Sequence, residues 1–371
     1  MSKKKIYSKK KLIIFAPFME NGGIEKNLIL LTNYFSNKNK NVVLITFERK
    51  NKKFFNNKVK VIFPNFYLPN LLKSRNFINI ICLLILVRYI LNNRNSLVIS
   101  FQSNLYVTLI AKIFNAKNII RIASYGWMKN KFKKIIFYIL LRLPTEIVVN
   151  SNEMKKVLKK EFNINTKCIY NPLDTKIINK SKFTKKKYFS ASKKTLKILF
   201  LARLVDAKDP ITFLRGIKKV NTKIKFQALI VGNGSMRNSV RKKIKEYNLN
   251  QKVKLLKYSE YPMQPLNQCN LLVLTSKFEG LPNVLIEAQY LKKYIISTNC
   301  KTGPKEILKN GNFGSLINVG DHNQLAKQIE FFYYNQNSKI IKKKIKLGFN
   351  HLNRFDLSLN CKKFQQIVEK Y

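Results

Sequence analysis

Short apolar runs alternate with longer amphipathic stretches along nearly the whole chain, and this rhythm limits the possible folds more than any other feature of the sequence. Apolar runs of strand length read as strands buried on both faces, and the stretches between them read as covering helices. The alternation therefore predicts parallel sheets built from βα units. In the first half the expected strands are 11–17, 42–47, 59–63, 97–101, 118–122 and 146–149, with helical patterns at 24–35, 105–114 and 131–143. Asn171-Pro172-Leu173-Asp174 then opens a Lys, Ser and Asn stretch to Lys194 with little apolar pattern. A second series follows, with strands at 196–201, 226–231, 253–256, 271–275 and 294–297, and an amphipathic helix closes the chain at 357–369. The 371 residues leave room for two domains. The expected architecture is α/β, two doubly wound domains facing a central cleft: 1–170, a linker at 171–194, 195–350, and a C-terminal helical segment at 351–371.

Charge says less than its size suggests. Lys and Arg number 72 against 18 Asp and Glu, a net charge of +54, which favours contact with phosphate in nucleotides, lipids or nucleic acids. The chain is also crowded with Lys, Asn, Ile, Phe and Tyr, all with A/T-rich codons, so base composition accounts for much of the surplus without any function. Basic and aromatic residues follow strand periodicity, and no RRM, KH or HTH pattern is present, so no nucleic acid partner is expected. The five cysteines, Cys82, Cys168, Cys269, Cys300 and Cys361, are scattered without metal-ligand spacing and fit a reducing, cytoplasmic setting. The apolar run at 77–91 is broken by Arg88 and is shorter than the roughly 20 residues of a spanning helix. Any membrane contact is expected to be peripheral, with the basic, apolar segment 128–143 as its candidate.

The most informative window is 275–287, TSKFEGLPNVLIE, which joins a buried strand to a helix starting near Pro282 or Asn283. Free N–H groups at such a start bind anions, and Gly280 lets a phosphate come close to the backbone. Glu287 lies one turn after Asn283, on the same face, where its carboxylate can accept two hydrogen bonds from a ribose diol. Glu279 sits in the loop before the helix. A pair of glutamates at a solvated helix start is the competing reading of these two residues.

Glu279 and Glu287 match the E-x7-E signature of retaining GT-B glycosyltransferases, and EGLPNVLIEA resembles its family 4 form. Gly22-Gly23-Ile24-Glu25 is similar to the glycine loop of that family, which closes over the donor diphosphate. Ala202-Arg203-Leu204 with Lys208 resembles its G-R-L-x-x-x-K segment, with Ala202 in place of glycine, and Gly303-Pro304-Lys305-Glu306 its G-x-P-E loop. The resemblance implies two Rossmann-like domains, an N-terminal acceptor domain and a C-terminal nucleotide-sugar donor domain, with the C-terminal helix packing back on the N-terminal one. It further implies Arg203 and Lys208 on the diphosphate, Glu279 beside the sugar, and Gly22, Gly23, Gly280, Leu281, Pro282, Asn283, Val284 and Glu287 around the donor. The implied reaction is transfer of a sugar, from a UDP-sugar by prevalence, to a glycan or lipid-linked acceptor in cell-surface polysaccharide synthesis. No metal ion and no cofactor are implied.

Many members of that family carry an N-terminal histidine near the sugar, whereas His322 and His351 are the only histidines here, both near the C-terminus. Gln102, Ser103 and Asn104, after an expected strand, are the substitute candidates for acceptor or sugar contact, with Arg121 and Ser124-Tyr125-Gly126-Trp127 expected on the same rim. Gly232-Asn233-Gly234 has Arg237 where a dinucleotide fingerprint needs its third glycine, so it reads as a turn of the fold. The alternatives are a catalytically silent scaffold of the same fold and a basic membrane- or nucleic-acid-binding protein.

Overall fold

The computed structural model describes residues 11–19, 22–38, 40–65, 74–124, 131–180, 186–189, 194–258 and 262–371, with the backbone alone at residues 50 and 131–133. Two compact units result, one from the described residues of 1–123, 127–172 and 358–371, the other from those of 124–126 and 173–357. The expected linker is not wholly irregular, since it contains a short helix at Thr175–Lys180.

Unit 1 runs β1 (Lys11–Phe15), α1 (Gly23–Asn37), β2 (Asn41–Ile45), β3 (Lys60–Ile62), α2 (Arg75–Leu91), β4 (Ser96–Ser100), α3 (Asn104–Ile113), β5 (Lys117–Ile122), α4 (Lys131–Leu140), β6 (Glu146–Val149), α5 (Asn152–Phe162) and β7 (Lys167–Cys168). Its seven strands are all parallel, in the order β3-β2-β1-β4-β5-β6-β7. Unit 2 runs α6 (Thr175–Lys180), β8 (Leu196–Leu201), α7 (Pro210–Lys219), β9 (Phe226–Val231), α8 (Arg237–Glu246), β10 (Val253–Leu256), α9 (Met263–Gln268), β11 (Leu271–Leu274), α10 (Asn283–Tyr290), β12 (Tyr294–Thr298), α11 (Pro304–Ile307), β13 (Ser315–Ile317), α12 (His322–Asn335) and α13 (Lys339–Asn350). Its six strands are parallel too, in the order β10-β9-β8-β11-β12-β13.

The central strands are buried along most of their length, as a sheet covered on both faces requires: Ile13, Ile14 and Phe15 on β1 and Leu272 and Val273 on β11 are all 0% exposed. β7 and β13, two and three residues long, are too short to show a period and were not expected from the sequence.

The last helix, α14 (Leu357–Glu369), belongs to unit 1 although the segment before it belongs to unit 2. Its Phe364 meets the ring of Phe35 edge-on at 6.1 Å, Tyr34 Oη donates to Gln365 Oε1 at 2.7 Å, and Glu369 pairs with Lys40 at 3.1 Å. This is the return of the C-terminal helix expected from the sequence.

In each sheet the order reverses beside the first strand of the unit, between β1 and β4 and between β8 and β11. The crevice beyond such a reversal is where open parallel sheets receive ligands, because the helices on its two sides lie on opposite faces. The loops after β8 and β11 are far apart in sequence. The switch in unit 2 brings them together.

Candidate active site

The loop from β11 to α10 is fixed by hydroxyls and backbone groups from three directions. Thr275 Oγ1 donates to the carbonyl of Asp209 at 2.7 Å, and Lys277 N to that of Ala207 at 2.9 Å, tying the loop to the segment after β8. From the other side, Thr298 Oγ1 donates to the carbonyl of Ser276 at 2.6 Å and Thr302 Oγ1 to that of Glu279 at 2.5 Å. Gly303 permits this closeness: its φ is +92°, and a Cβ there would lie 2.2 Å from the Gly280 carbonyl oxygen and 2.8 Å from Pro282.

Within that frame Glu279 is only 7% exposed. Its Oε1 accepts two hydrogen bonds, from Lys208 Nζ at 2.5 Å and from Ser276 Oγ at 2.7 Å. Oε2 accepts none from the described residues. One oxygen is held by a cation and a hydroxyl, and the other is left to be offered elsewhere. Helix α10 follows, capped by Pro282, so its first N–H groups lack helical partners and carry the positive end of the helix dipole. Leu281 and Pro282 are buried, Asn283 and Val284 partly exposed, and Glu287 buried at 8% one turn into the helix.

The segment after β8 supplies the cations. Arg203 is exposed, and Lys208, in a three-residue 3-10 turn, keeps 19% of its side chain accessible. The backbone bearing Arg203 rests on the Gly232–Gly234 loop: Leu204 N donates to Asn233 O and Met236 N to Leu204 O, both at 2.8 Å. A Cβ at residue 232 would stand 2.0 Å from the Ala202 carbonyl oxygen, so that turn must carry glycine. Arg237, in the place of a third fingerprint glycine, donates from Nη1 to the carbonyls of Gly232 and Leu256 at 2.9 Å each and locks the turn to the end of β10. Burial, and then the neighbouring Arg241, pull its pKa down. The sequence reading missed Ser276, Thr298 and Thr302. Their signal was present, small hydroxyl residues at or within a few positions of the C-terminal ends of buried parallel strands, where loop backbone awaits them.

The candidates of unit 1 are differently placed. Gly22 caps α1 in extended conformation and Gly23 is its first residue, with Lys26 N donating to Gly22 O at 3.2 Å. Gln102 is committed at both ends to the loop after β1, its Oε1 accepting from Phe18 N at 3.0 Å and its Nε2 donating to Phe18 O at 2.9 Å. Ser103, at a left-handed φ of 54°, donates to Asn79 Oδ1 at 2.5 Å. Asn104 accepts from Ser100 Oγ at 2.8 Å and donates to the Arg121 carbonyl at 3.1 Å.

Arg121 departs from the rim position expected of it, being 2% exposed inside the unit. Its Nη2 donates to Asn171 Oδ1 at 3.0 Å and to Ile169 O at 3.4 Å, and the guanidinium lies 5.8 Å from the Phe101 ring centroid and 5.7 Å from that of Phe364. Burial pulls its pKa down to about 10. The return of α14 covers what would have been an open strand end. Tyr125, Gly126 and Trp127 lie outside the described residues.

Residues 181–346, which hold every element of the unit 2 site, match the family model for glycosyl transferases group 1. Over that segment, less than half of its length, the chain is similar to the glycosyl transferases group 1 family. Similarity to known proteins extends beyond that segment. An uncharacterized glycosyltransferase of Methanocaldococcus jannaschii is 28% identical over 322 residues, 82% of this chain and 72% of that protein. The N-acetylgalactosamine-N,N'-diacetylbacillosaminyl-diphospho-undecaprenol 4-alpha-N-acetylgalactosaminyltransferase of Campylobacter jejuni is 29% identical over 237 residues, 61% of this chain and 63% of that protein. Among solved structures, Anabaena HepE in complex with UDP and glucose superposes with a TM-score of 0.77 over 98% of this chain and all of that one, at 15% identity. A Rickettsia africae glycosyltransferase gives 0.78 over 98% and 99%, at 18%. At such identities the superpositions establish the fold, two Rossmann-like sheets of GT-B type, and the segment that matches group 1 lies in the second unit.

Proposed function

We propose that the chain is a retaining glycosyltransferase that moves a sugar from a nucleoside diphosphate sugar, of the UDP class, to a hydroxyl of a glycan or lipid-linked acceptor in surface polysaccharide synthesis. The observation that carries this reading is the Lys208-Glu279-Ser276 arrangement, one carboxylate oxygen held by two donors and the other without a donor among the described residues, beside the N-terminus of α10. Departure of a diphosphate builds negative charge on its oxygens and oxocarbenium character on the sugar carbon. Fixed positive charge at the first and a carboxylate near the second both favour that transition state. Arg203 and Lys208 take the diphosphate, together with the N–H groups at the start of α10, and no metal ion has a role. Glu287, buried on the same helix, takes the ribose diol. Glu279 orients the sugar through Oε2. The acceptor hydroxyl attacks from the face that the diphosphate leaves, and the leaving phosphate accepts its proton, so the anomeric configuration is kept and Glu279 is not a nucleophile.

Support from relatives is of two kinds: the name of the Campylobacter protein specifies an undecaprenol-linked acceptor and N-acetylgalactosamine, and HepE was solved with UDP and glucose. The test is a thermal-shift panel of UDP, GDP, ADP and their sugars, followed by a nucleotide-release assay with the sugar that binds. A ligand at a hundred times its dissociation constant stabilises the native state by about 2.7 kcal/mol. The expected result is a shift with uridine ligands that is lost in Glu287→Ala. No shift with any of them overturns the reading.

A further inference from the structure

Three helices of unit 1 present apolar side chains where a sheet-covering helix is ordinarily polar. Right-handed crossovers place α2, α3 and α4 on one side of the seven-stranded sheet, since β4, β5 and β6 follow each other in its order. α3 touches both of the others. α2 buries Cys82, Leu86 and Ile90 against the sheet, yet Ile80 and Leu84 on its other side are 53% and 65% exposed. Ile113 of α3 is 72% exposed, and Ile135 and Ile139 of α4 are 63% and 59% exposed. Eleven of the eighteen exposed large apolar side chains among the described residues stand on these three helices. A surface of this kind marks a contact site.

Its charge selects the partner. The sequences of α2, α3 and α4 contain no Asp or Glu, and they carry Arg75, Arg88, Lys112, Lys131, Lys133 and Lys134. Lys134 is paired with Glu161 of α5 at 2.8 Å, whereas Arg88 and Lys112 are exposed. A second copy of the chain would set base against base across the contact. An anionic bilayer offers acyl chains to the apolar residues and headgroup charge to the basic ones. No helix among the described residues is long and apolar enough to cross it. We propose that the α2-α3-α4 face seats unit 1 on an anionic lipid surface. The sequence alone pointed to residues 128–143; of these, 128–130 lie outside the described residues, and the structure adds α2 and α3 to the surface. The proposal does not rest on sugar transfer.

The test is co-sedimentation of the full chain with phosphatidylcholine vesicles, with and without phosphatidylglycerol, at low and high salt. Wild type should sediment with the anionic vesicles alone and should be released by salt. Replacing Leu84, Ile113, Ile135 and Ile139 together by Gln should lower the partition coefficient at least about tenfold with an unchanged unfolding midpoint, since all four are exposed. Arg88→Gln with Lys112→Gln, which leaves the apolar surface intact, should weaken binding several-fold at low salt. Absence of wild-type binding, or equal binding by the quadruple variant, overturns the proposal. So does a wild-type dimer that the quadruple variant turns into monomer, which would assign the face to a second copy.

Discussion

The loops at the two switch points hold the same kinds of residue and use them in opposite ways. Beyond β4, Gln102 and Asn104 each spend both ends of the amide on unit 1 itself, and Arg121 beneath them is buried between Phe101 and Phe364. Beyond β11, Glu279 spends one oxygen on Lys208 and Ser276 and keeps the other. A polar cluster at the end of a parallel strand is therefore not a site by position alone. It becomes one when acceptors or donors remain after the fold has been satisfied, and by that measure the second cluster is the candidate for a ligand, while the amides of Gln102 and Asn104 in the first are already paired within unit 1.

The comparison breaks most readily at Arg203. Its side chain is exposed, so Arg203→Ala should change stability by no more than about 0.5 kcal/mol, while loss of a positive charge at the diphosphate should lower kcat/KM by about a hundred- to a thousandfold. Steady-state kinetics at matched folded concentration checks this, and activity close to wild type would remove Arg203 from the site.

Next in size is Gly303→Ala, which puts a Cβ into the Gly280 carbonyl at an unfavourable φ and should cost about 2–3 kcal/mol of stability with a fall in activity, because the same loop carries Glu279. Urea unfolding and kinetics on one preparation separate the two effects. Arg121→Met should do the reverse of Arg203→Ala: it leaves Asn171 Oδ1 without this donor and should cost about 2 kcal/mol, with kcat/KM per folded molecule within about threefold of wild type. A loss beyond tenfold in fully folded protein would return the unit 1 cluster to the site.

What the sequence showed and what it hid divide along contact range. Strand positions, the start of α10 near Asn283 and the E-x7-E window are local patterns, and the strands at 146–149, 196–201, 226–231 and 253–256 were placed to the residue. The bonds that sort site from scaffold are long-range: Gln102 to Phe18 spans 84 positions, Lys208 to Glu279 spans 71, and the ring that covers Arg121 comes from α14 at the end of the chain. Arg121 looked like a rim residue because it stands near the C-terminal end of an expected strand, and no periodicity announces that a later helix will return over it. The exposed apolar faces of α2 and α3 were hidden for a related reason. A helix apolar all round reads as buried unless its second neighbour is known to be missing.

The smallest and most discriminating effect is expected at Ser276, which donates to Glu279 Oε1 and, in the proposed site, acts on the donor through that carboxylate. Ser276→Ala removes one of two donors from a carboxylate oxygen that keeps Lys208, so the carboxylate remains compensated and the stability cost should be about 1 kcal/mol. Loss of orientation at Oε2 should lower kcat about tenfold and leave KM for the donor nearly unchanged, since the nucleotide contacts assigned to Arg203 and Glu287 are intact. Ser276→Thr keeps the hydroxyl and should recover most of the activity if the buried pocket admits its methyl. A residue that merely stabilised the loop would lower activity in proportion to the unfolded fraction, with kcat per folded molecule unchanged. Measuring kcat and KM on folded protein therefore decides between the roles, and an unchanged kcat in Ser276→Ala would reduce the hydroxyl to part of the loop's packing and leave the orientation of Glu279 to Lys208 among the described residues.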